Sequence, residues 1–162
     1  LGETNHLTLE TYMGHGSGIA KIIVGVDGSE ASIEALKQAK SLSGPLGAEI
    51  EAMGCWDYPR MYDRYLMMDI GGFKESAEKV LDEAVTRAVG PESFDSVRIT
   101  LVQGDPRSAL IEASKNADML IVGRRGMGGL KGLLVGSVSS AAIAQSECPV
   151  LVVRAPEEDK KS

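Results

Sequence analysis

The sequence predicts an α/β fold, a doubly wound five-stranded parallel sheet with helices on both faces. Five short runs rich in Val, Ile and Leu are separated by segments whose apolar residues recur at helical spacing. Most of those runs are continuously apolar rather than alternating, as expected of strands covered on both faces. Capping and turn residues stand at the joints between them.

The first run, Ile22 to Val26 in "KIIVGVDGS", is a buried strand with Asp27 at its carboxyl end. Ser29 caps the helix that follows, in which Ile33, Leu36, Ala39 and Leu42 repeat until Gly44-Pro45 stops the pattern. Ala48 to Trp56 is the second strand, and its glutamates Glu49 and Glu51 suggest that part of one face meets water. Asp57 to Gly72 has no clear period and reads as a loop or lid-like insertion. From Phe73 the series Ala77, Leu81, Ala84, Val85, Ala88 gives a second helix, ended by Gly90-Pro91. Val97 to Val102 is the third strand. Asp105 as cap and Pro106 at the first helical position open the third helix. "MLIVG" is the fourth strand, Ser137 to Ser146 a short fourth helix, and Val150 to Arg154 the last strand.

A chain of 162 residues, 43% hydrophobic and 25% charged, suits one compact domain, here residues 19–155. Residues 1–18 end in a Gly/Ser-rich run and read as a flexible extension that begins with Leu rather than Met. Residues 156–162 read as a charged, frayed tail. The net charge of −6 and pI near 5.0 argue against a nucleic-acid partner. No run approaches the roughly 18 apolar residues of a membrane span, and no signal peptide is visible, so a cytoplasmic location without a membrane partner is expected. Cys55 and Cys148 lack metal or redox spacing and are expected to be buried free thiols.

In an open parallel sheet, ligands bind beyond the carboxyl ends of the strands where strand order reverses. With the first strand central and the fourth beside it, Asp27 shares a crevice with "GRRGMGGLKG", although the two are about a hundred residues apart. A phosphate chain needs converging N–H groups without Cβ atoms in the way, and a helix N-terminus supplies donors and a favourable dipole. Gly123, Gly126 and Gly136 offer that access, and Ser137 and Ser139 add hydroxyls where the fourth helix begins. Either serine could instead be an ordinary cap, the glycines could only permit tight turns while Leu130, Leu133 and Leu134 pack on the sheet, and Asp27 could be a turn residue. The segment matches neither the P-loop nor the Rossmann glycine pattern.

Gly123-Arg-Arg-Gly126, nine residues, then Gly136-Ser137 fits G-x2-G-x9-G-[ST], and the chain resembles the ATP-binding branch of the universal stress protein family. "KIIVGVDGSE", "VQGDPRSALIEAS", "ADMLIVGRRG" and "CPVLVVR" extend the resemblance over about Ile19 to Arg154. It implies a sheet of order 3-2-1-4-5, as in the adenine nucleotide alpha hydrolase-like folds, ATP with Mg²⁺ or Mn²⁺ at the switch point, and homodimers paired through the last strand. It places Asp27 near the ribose and the metal-phosphate region, Gly25 and Val26 on the floor, and Cys55 at the adenine. Val122, Gly123, Gly126, Gly136, Ser137, Val138 and Ser139 would hold ribose and phosphates. Gly54-Cys55-Trp56 departs from the family's usual second-strand ending, and Arg124, Arg125 and Lys131 are further candidates for phosphate charge.

No general base is evident: the two histidines, His6 and His15, lie in the N-terminal extension, and Asp27 suits a metal or ribose better. A nucleotide-binding regulatory protein in a stress response, with no catalytic residues, is therefore expected. The alternative is a weak ATPase or other nucleotide-using enzyme of the same superfamily, although the S-G-G-x-D-S loop of its adenylating members is absent. A dimerisation module without nucleotide is the third reading, and the intact motif speaks against it.

Overall fold

The computed structural model describes residues 18–58, 70–126 and 134–156. Among them run β1 (Lys21–Gly25), α1 (Glu30–Leu46), β2 (Glu49–Trp56), α2 (Ile70–Val89), a 3₁₀ turn (Pro91–Ser96), β3 (Val97–Gln103), α3 (Pro106–Ser114), β4 (Met119–Gly123), α4 (Ser137–Gln145) and β5 (Val150–Val153). All four ladders are parallel, and the sheet order is β3-β2-β1-β4-β5. The predicted class and strand order are those observed.

The two faces follow from the period-two alternation of side chains. Ile22 and Val24 of β1 point to one face, where they pack with Ile33 and Leu36 of α1 and Leu81 and Val85 of α2. Ile23, Leu120 and Val122 point to the other, against Leu110 of α3 and Ala142 of α4. The central strands are apolar throughout because both of their faces are covered.

Caps fall where the sequence put them at two helices. The Ser29 hydroxyl accepts from the Ser32 N–H at α1, and the Asp105 carboxylate accepts from the Ser108 N–H at α3, with Pro106 in the first turn. Three expectations are corrected. Gly44-Pro45 does not stop α1: the proline sits in the final turn, where it forfeits one backbone bond, and the helix closes at Gly47 through N–H bonds from Gly47 to the Gly44 carbonyl and from Ala48 to that of Ser43. Helix α2 already starts at Ile70, so Ile70 to Gly72 are helical rather than loop; residues 59–69 of that expected insertion lie outside the described residues. Glu51 does not meet water. It is 8% exposed because the Lys21 ammonium at 2.7 Å and the Thr100 hydroxyl at 2.7 Å, on the two flanking strands, satisfy its carboxylate. Burial pushes its pKa up, but these two hydrogen bonds and the charges of Lys21 and Arg98 outweigh that and hold it below the usual glutamate value. Glu49, two residues earlier, is exposed as expected.

Candidate functional site at the carboxyl ends of β1 and β4

Strand order reverses between β1 and β4: the chain steps from β1 outward through β2 to β3, then crosses back to β4 on the other side. A cavity of about 410 Å³ opens there, and all eleven residues picked from the sequence line it: Gly25, Val26, Asp27, Cys55, Val122, Gly123, Gly126, Gly136, Ser137, Val138 and Ser139. Residues from three strand ends and from the start of α4 thus meet although they span more than a hundred positions of sequence.

The first wall is the turn after β1. The Val26 N–H extends the β1–β2 ladder by bonding the Met53 carbonyl at 2.9 Å, which fixes the chain up to Asp27. Asp27 then accepts the Ser29 N–H at 3.0 Å, while the Ser32 hydroxyl donates to the Ser29 carbonyl at 2.9 Å. This turn lies against the loop after β4 so closely that a Cβ on Gly126 would collide with the Asp27 carboxylate. Gly123 is tight for another reason: a Cβ there would stand 2.7 Å from that of Ala31, in the first turn of α1. One glycine lets two binding loops touch; the other lets a helix cross a strand end.

The opposite wall is the N-terminus of α4. Gly136 is its N-cap, without a side-chain cap, and the N–H groups of Ser137, Val138 and Ser139 precede the first intrahelical acceptor. They face the same cavity as Asp27 and supply the partial positive charge of a helix start. The chain is pinned there: the Arg124 N–H bonds the Val153 carbonyl at 2.7 Å, and the Arg124 carbonyl accepts the Gly136 N–H at 2.7 Å.

The two serines have different roles. Ser139 is 2% exposed, and its hydroxyl donates to the Gly123 and Arg124 carbonyls, each at 2.9 Å. It clamps the loop to the helix rather than presenting its hydroxyl to a phosphate, and only its N–H is left for a ligand. Ser137 is exposed, and among the described residues no group bonds its hydroxyl. Neither caps α4 through its side chain. The reading in which the loop leucines pack on the sheet fails at Leu134, which is 77% exposed; Leu130, Leu133, Gly128, Gly129 and Lys131 lie outside the described residues.

Cys55 is half-buried on the cavity wall, and burial, with the Asp105 charge adding, pushes its thiol up to about 11, so it is a neutral wall rather than a nucleophile. Met53, on the same face of β2, with Leu110 and Pro106 of α3, completes an apolar side that sequence reasoning missed. Period two from Cys55 to Met53 was the available signal; nothing local announced the α3 residues. Trp56 is not among the lining residues and stacks edge-on with Tyr58 at 5.2 Å. Of the candidate cations, Arg125 lines the cavity, whereas Arg124 lines a separate cleft. Among the described residues Asp27 is the only carboxylate on the cavity wall, and they contain no cluster of three metal-ligating side chains.

Comparison with known proteins identifies relatives of this chain. The model of the universal stress protein family matches residues 18–154. Universal stress protein MJ0531 of Methanocaldococcus jannaschii is 29% identical over 147 residues, covering 86% of this chain and 84% of that protein. Universal stress protein Rv2623 of Mycobacterium tuberculosis is 33% identical over 137 residues, 83% of this chain but 45% of its own length, so the chain spans less than half of that relative. A crystal structure of a universal stress protein in complex with cAMP superposes with a TM-score of 0.61 at 26% identity, over 86% of this chain and all of the other. No helix among the described residues is long and apolar enough to cross a membrane. By sequence and by fold, this chain belongs to the universal stress protein family.

Proposed function

We propose that the protein binds ATP in the cavity between β1 and β4 and acts as a nucleotide-dependent regulatory protein of the cytoplasmic stress response, not as an enzyme. One observation carries the proposal: the G-x2-G-x9-G-[ST] residues and the β1 turn enclose one cavity, with an apolar side at β2 and α3 and free helix N–H groups opposite. Such a division suits a nucleotide, with the base against Met53, Cys55 and Leu110 and the phosphates against Gly126, Ser137, Val138 and Ser139. The adenine nucleotide in the related cAMP complex supports the class of ligand.

A divalent cation fits only as part of the nucleotide complex. Mg²⁺ takes about six oxygens, usually from one or two carboxylates, phosphates and water. Asp27 supplies the one carboxylate among the described residues of the cavity, and the Ser29 N–H orients it. Mg²⁺ or Mn²⁺ would neutralise phosphate charge there. The same scarcity of groups speaks for binding without turnover, because among the described residues no second carboxylate and no histidine lines the cavity to position an attacking water.

Homodimerisation through β5 belongs to the same proposal. Among the described strands β5 pairs only with β4, and Leu151 on β5 and Ile143 on α4 are 36% and 57% exposed, an apolar edge that a second copy would cover. The test is calorimetric titration of the purified full chain with ATP and Mg²⁺, alongside chromatography of whatever the denatured protein releases. Saturable binding, or a released adenine nucleotide, is the expected result. No heat and no nucleotide would overturn the binding reading, and turnover of roughly 1 per second or faster would overturn the non-enzymatic one.

A further inference from the structure

Among the described residues each wall of the cavity carries one buried serine: Ser139 on the α4 side, 2% exposed, and Ser32 in the first turn of α1, 3% exposed. Ser139 clamps the loop after β4. Ser32 does the corresponding work on the turn after β1. It is the third residue of α1, where in a capping box a Glu or Gln reaches back to the N–H of the capping residue. Here the N–H of the capping residue, Ser29, goes to Asp27 Oδ1 at 3.0 Å instead, and the Ser32 hydroxyl serves two other groups. It donates to the Ser29 carbonyl at 2.9 Å and accepts the Asp27 N–H in a longer bond of 3.4 Å. The Ser32 N–H donates to the Ser29 hydroxyl at 3.2 Å. One residue thus grips Ser29 at its carbonyl and its hydroxyl, while the Ser29 N–H holds the Asp27 carboxylate. The aim of that carboxylate matters, because Oδ2 faces Gly126 so closely that a Cβ there would collide with it. From the other side, a Cβ on Gly123 would stand 3.0 Å from the Ser32 nitrogen, so Ser32 is set between the end of β4 and the Asp27 turn.

We propose that Ser32 is a positioning residue of the nucleotide site: acting through Ser29 and the Asp27 N–H, it aims the Asp27 carboxylate at the phosphate loop and so sets how strongly the cavity prefers a metal-complexed phosphate chain to a bare one. This role rests on the nucleotide reading of the cavity. A bare polyphosphate meets the Asp27 charge as repulsion, whereas with a divalent ion on the phosphates the same charge attracts. The size of that difference depends on where the carboxylate oxygens stand, since misplacing a binding group by about 1 Å can cost about 100-fold. Without the Ser32 hydroxyl the turn keeps the bond from the Ser29 N–H to Asp27, but loses the two that fix the Ser29 carbonyl and the Asp27 N–H. The carboxylate is then held from one side only.

The experiment is calorimetric titration of the full chain with ATP in Mg²⁺ and with ATP in EDTA, on the parent, Ser32→Ala, Asp27→Asn and the double variant, each accompanied by a thermal melt. The quantity read is the metal gain, the ratio of the two affinities. A merely structural role lowers stability and both affinities and leaves the gain as it was. The proposal expects Ser32→Ala to cut the gain about fivefold or more, the worth of one ordinary hydrogen bond. Once Asp27→Asn has removed the charge, Ser32→Ala should take no more than about a further twofold from ATP-Mg²⁺ affinity. Ser32→Cys keeps the volume but weakens the hydrogen bonds, and the same results are expected of it if Ser32→Ala does not fold. An unchanged gain overturns the proposal, and so does a loss in the Asp27→Asn background as large as in the parent. A parent that binds ATP without any gain from Mg²⁺ overturns it too, while nucleotide binding stands. A parent that binds no ATP in either condition removes both readings.

Discussion

Separate duties for the two serines at the start of α4 make a sharp prediction. Ser139→Ala removes a 2%-exposed hydroxyl that ties together the Gly123 and Arg124 carbonyls. The Arg124 carbonyl keeps the Gly136 N–H, so the loss is that of one buried hydrogen bond and a part-satisfied acceptor, about 1–2 kcal/mol. For a domain of this size that lowers Tm by about 3–8 °C. Ser137→Ala removes an exposed hydroxyl with no partner among the described residues and puts a better helix former in the first turn, so stability stays within about 0.5 kcal/mol. Its cost falls on the ligand: a hydrogen bond to a charged phosphate is worth about 1.5–3 kcal/mol, or roughly 10- to 100-fold in ATP affinity. Thermal melts and ATP titrations of both variants are the assay. The reasoning is refuted if Ser137→Ala binds ATP as the parent does, or if Ser139→Ala melts like the parent.

The glycines separate in the same way. Gly123→Ala would drive a Cβ into the backbone of the first turn of α1 and should cost about 1–3 kcal/mol by urea unfolding, whereas Gly126→Ala meets the Asp27 carboxylate, which must shift, and should show its main effect as an about tenfold drop in ATP-Mg²⁺ affinity. With Cys148→Ser removing the other thiol, alkylation of Cys55 should be slow at neutral pH and accelerate between pH 9.0 and about 11. The folded state holds that proton more tightly than the unfolded state, so the Cys55 contribution to stability is complete below pH 9.0 and declines as pH rises through about 11. Lys21→Ala strands a buried Glu51 and should destabilise by about 1–2 kcal/mol at neutral pH, a modest figure because the lysine is itself 36% exposed. As the folded pKa of Glu51 lies below 4.5, the stabilisation from that pair is present above pH 4.5 and fades as pH falls through the folded value, so parent and variant should converge in acid.

What was legible in the sequence was what is local in the chain. The apolar runs, the Ser29 and Asp105 caps and the spacing Gly123, Gly126, Gly136 each need only a few neighbouring residues to be seen, and all stand where expected. What was illegible depends on neighbours across the sheet. Glu51 looks like a water-facing residue until Lys21 and Thr100 are set on the strands either side of it. Ser139 looks like a phosphate ligand until the Gly123 and Arg124 carbonyls, 16 and 15 positions away, are found to accept its hydroxyl. Arg154 looks like the end of a strand until β4–β5 pairing brings it to the same cleft as Arg124. In the last turn of α1, the preference of Gly-Pro for ending a helix yields to a terminus that can spare one hydrogen bond.

The central claim, that the crevice between β1 and β4 holds the nucleotide, is tested most directly by the backbone amide spectrum of the isotope-labelled full chain titrated with ATP and Mg²⁺. The account predicts that the largest shifts gather at Asp27, Cys55, Gly126, Gly136, Ser137 and Val138 and saturate together with one dissociation constant. Saturable shifts centred elsewhere, on the β3 edge or the exposed face of α2 for example, with these six amides unmoved, would contradict it.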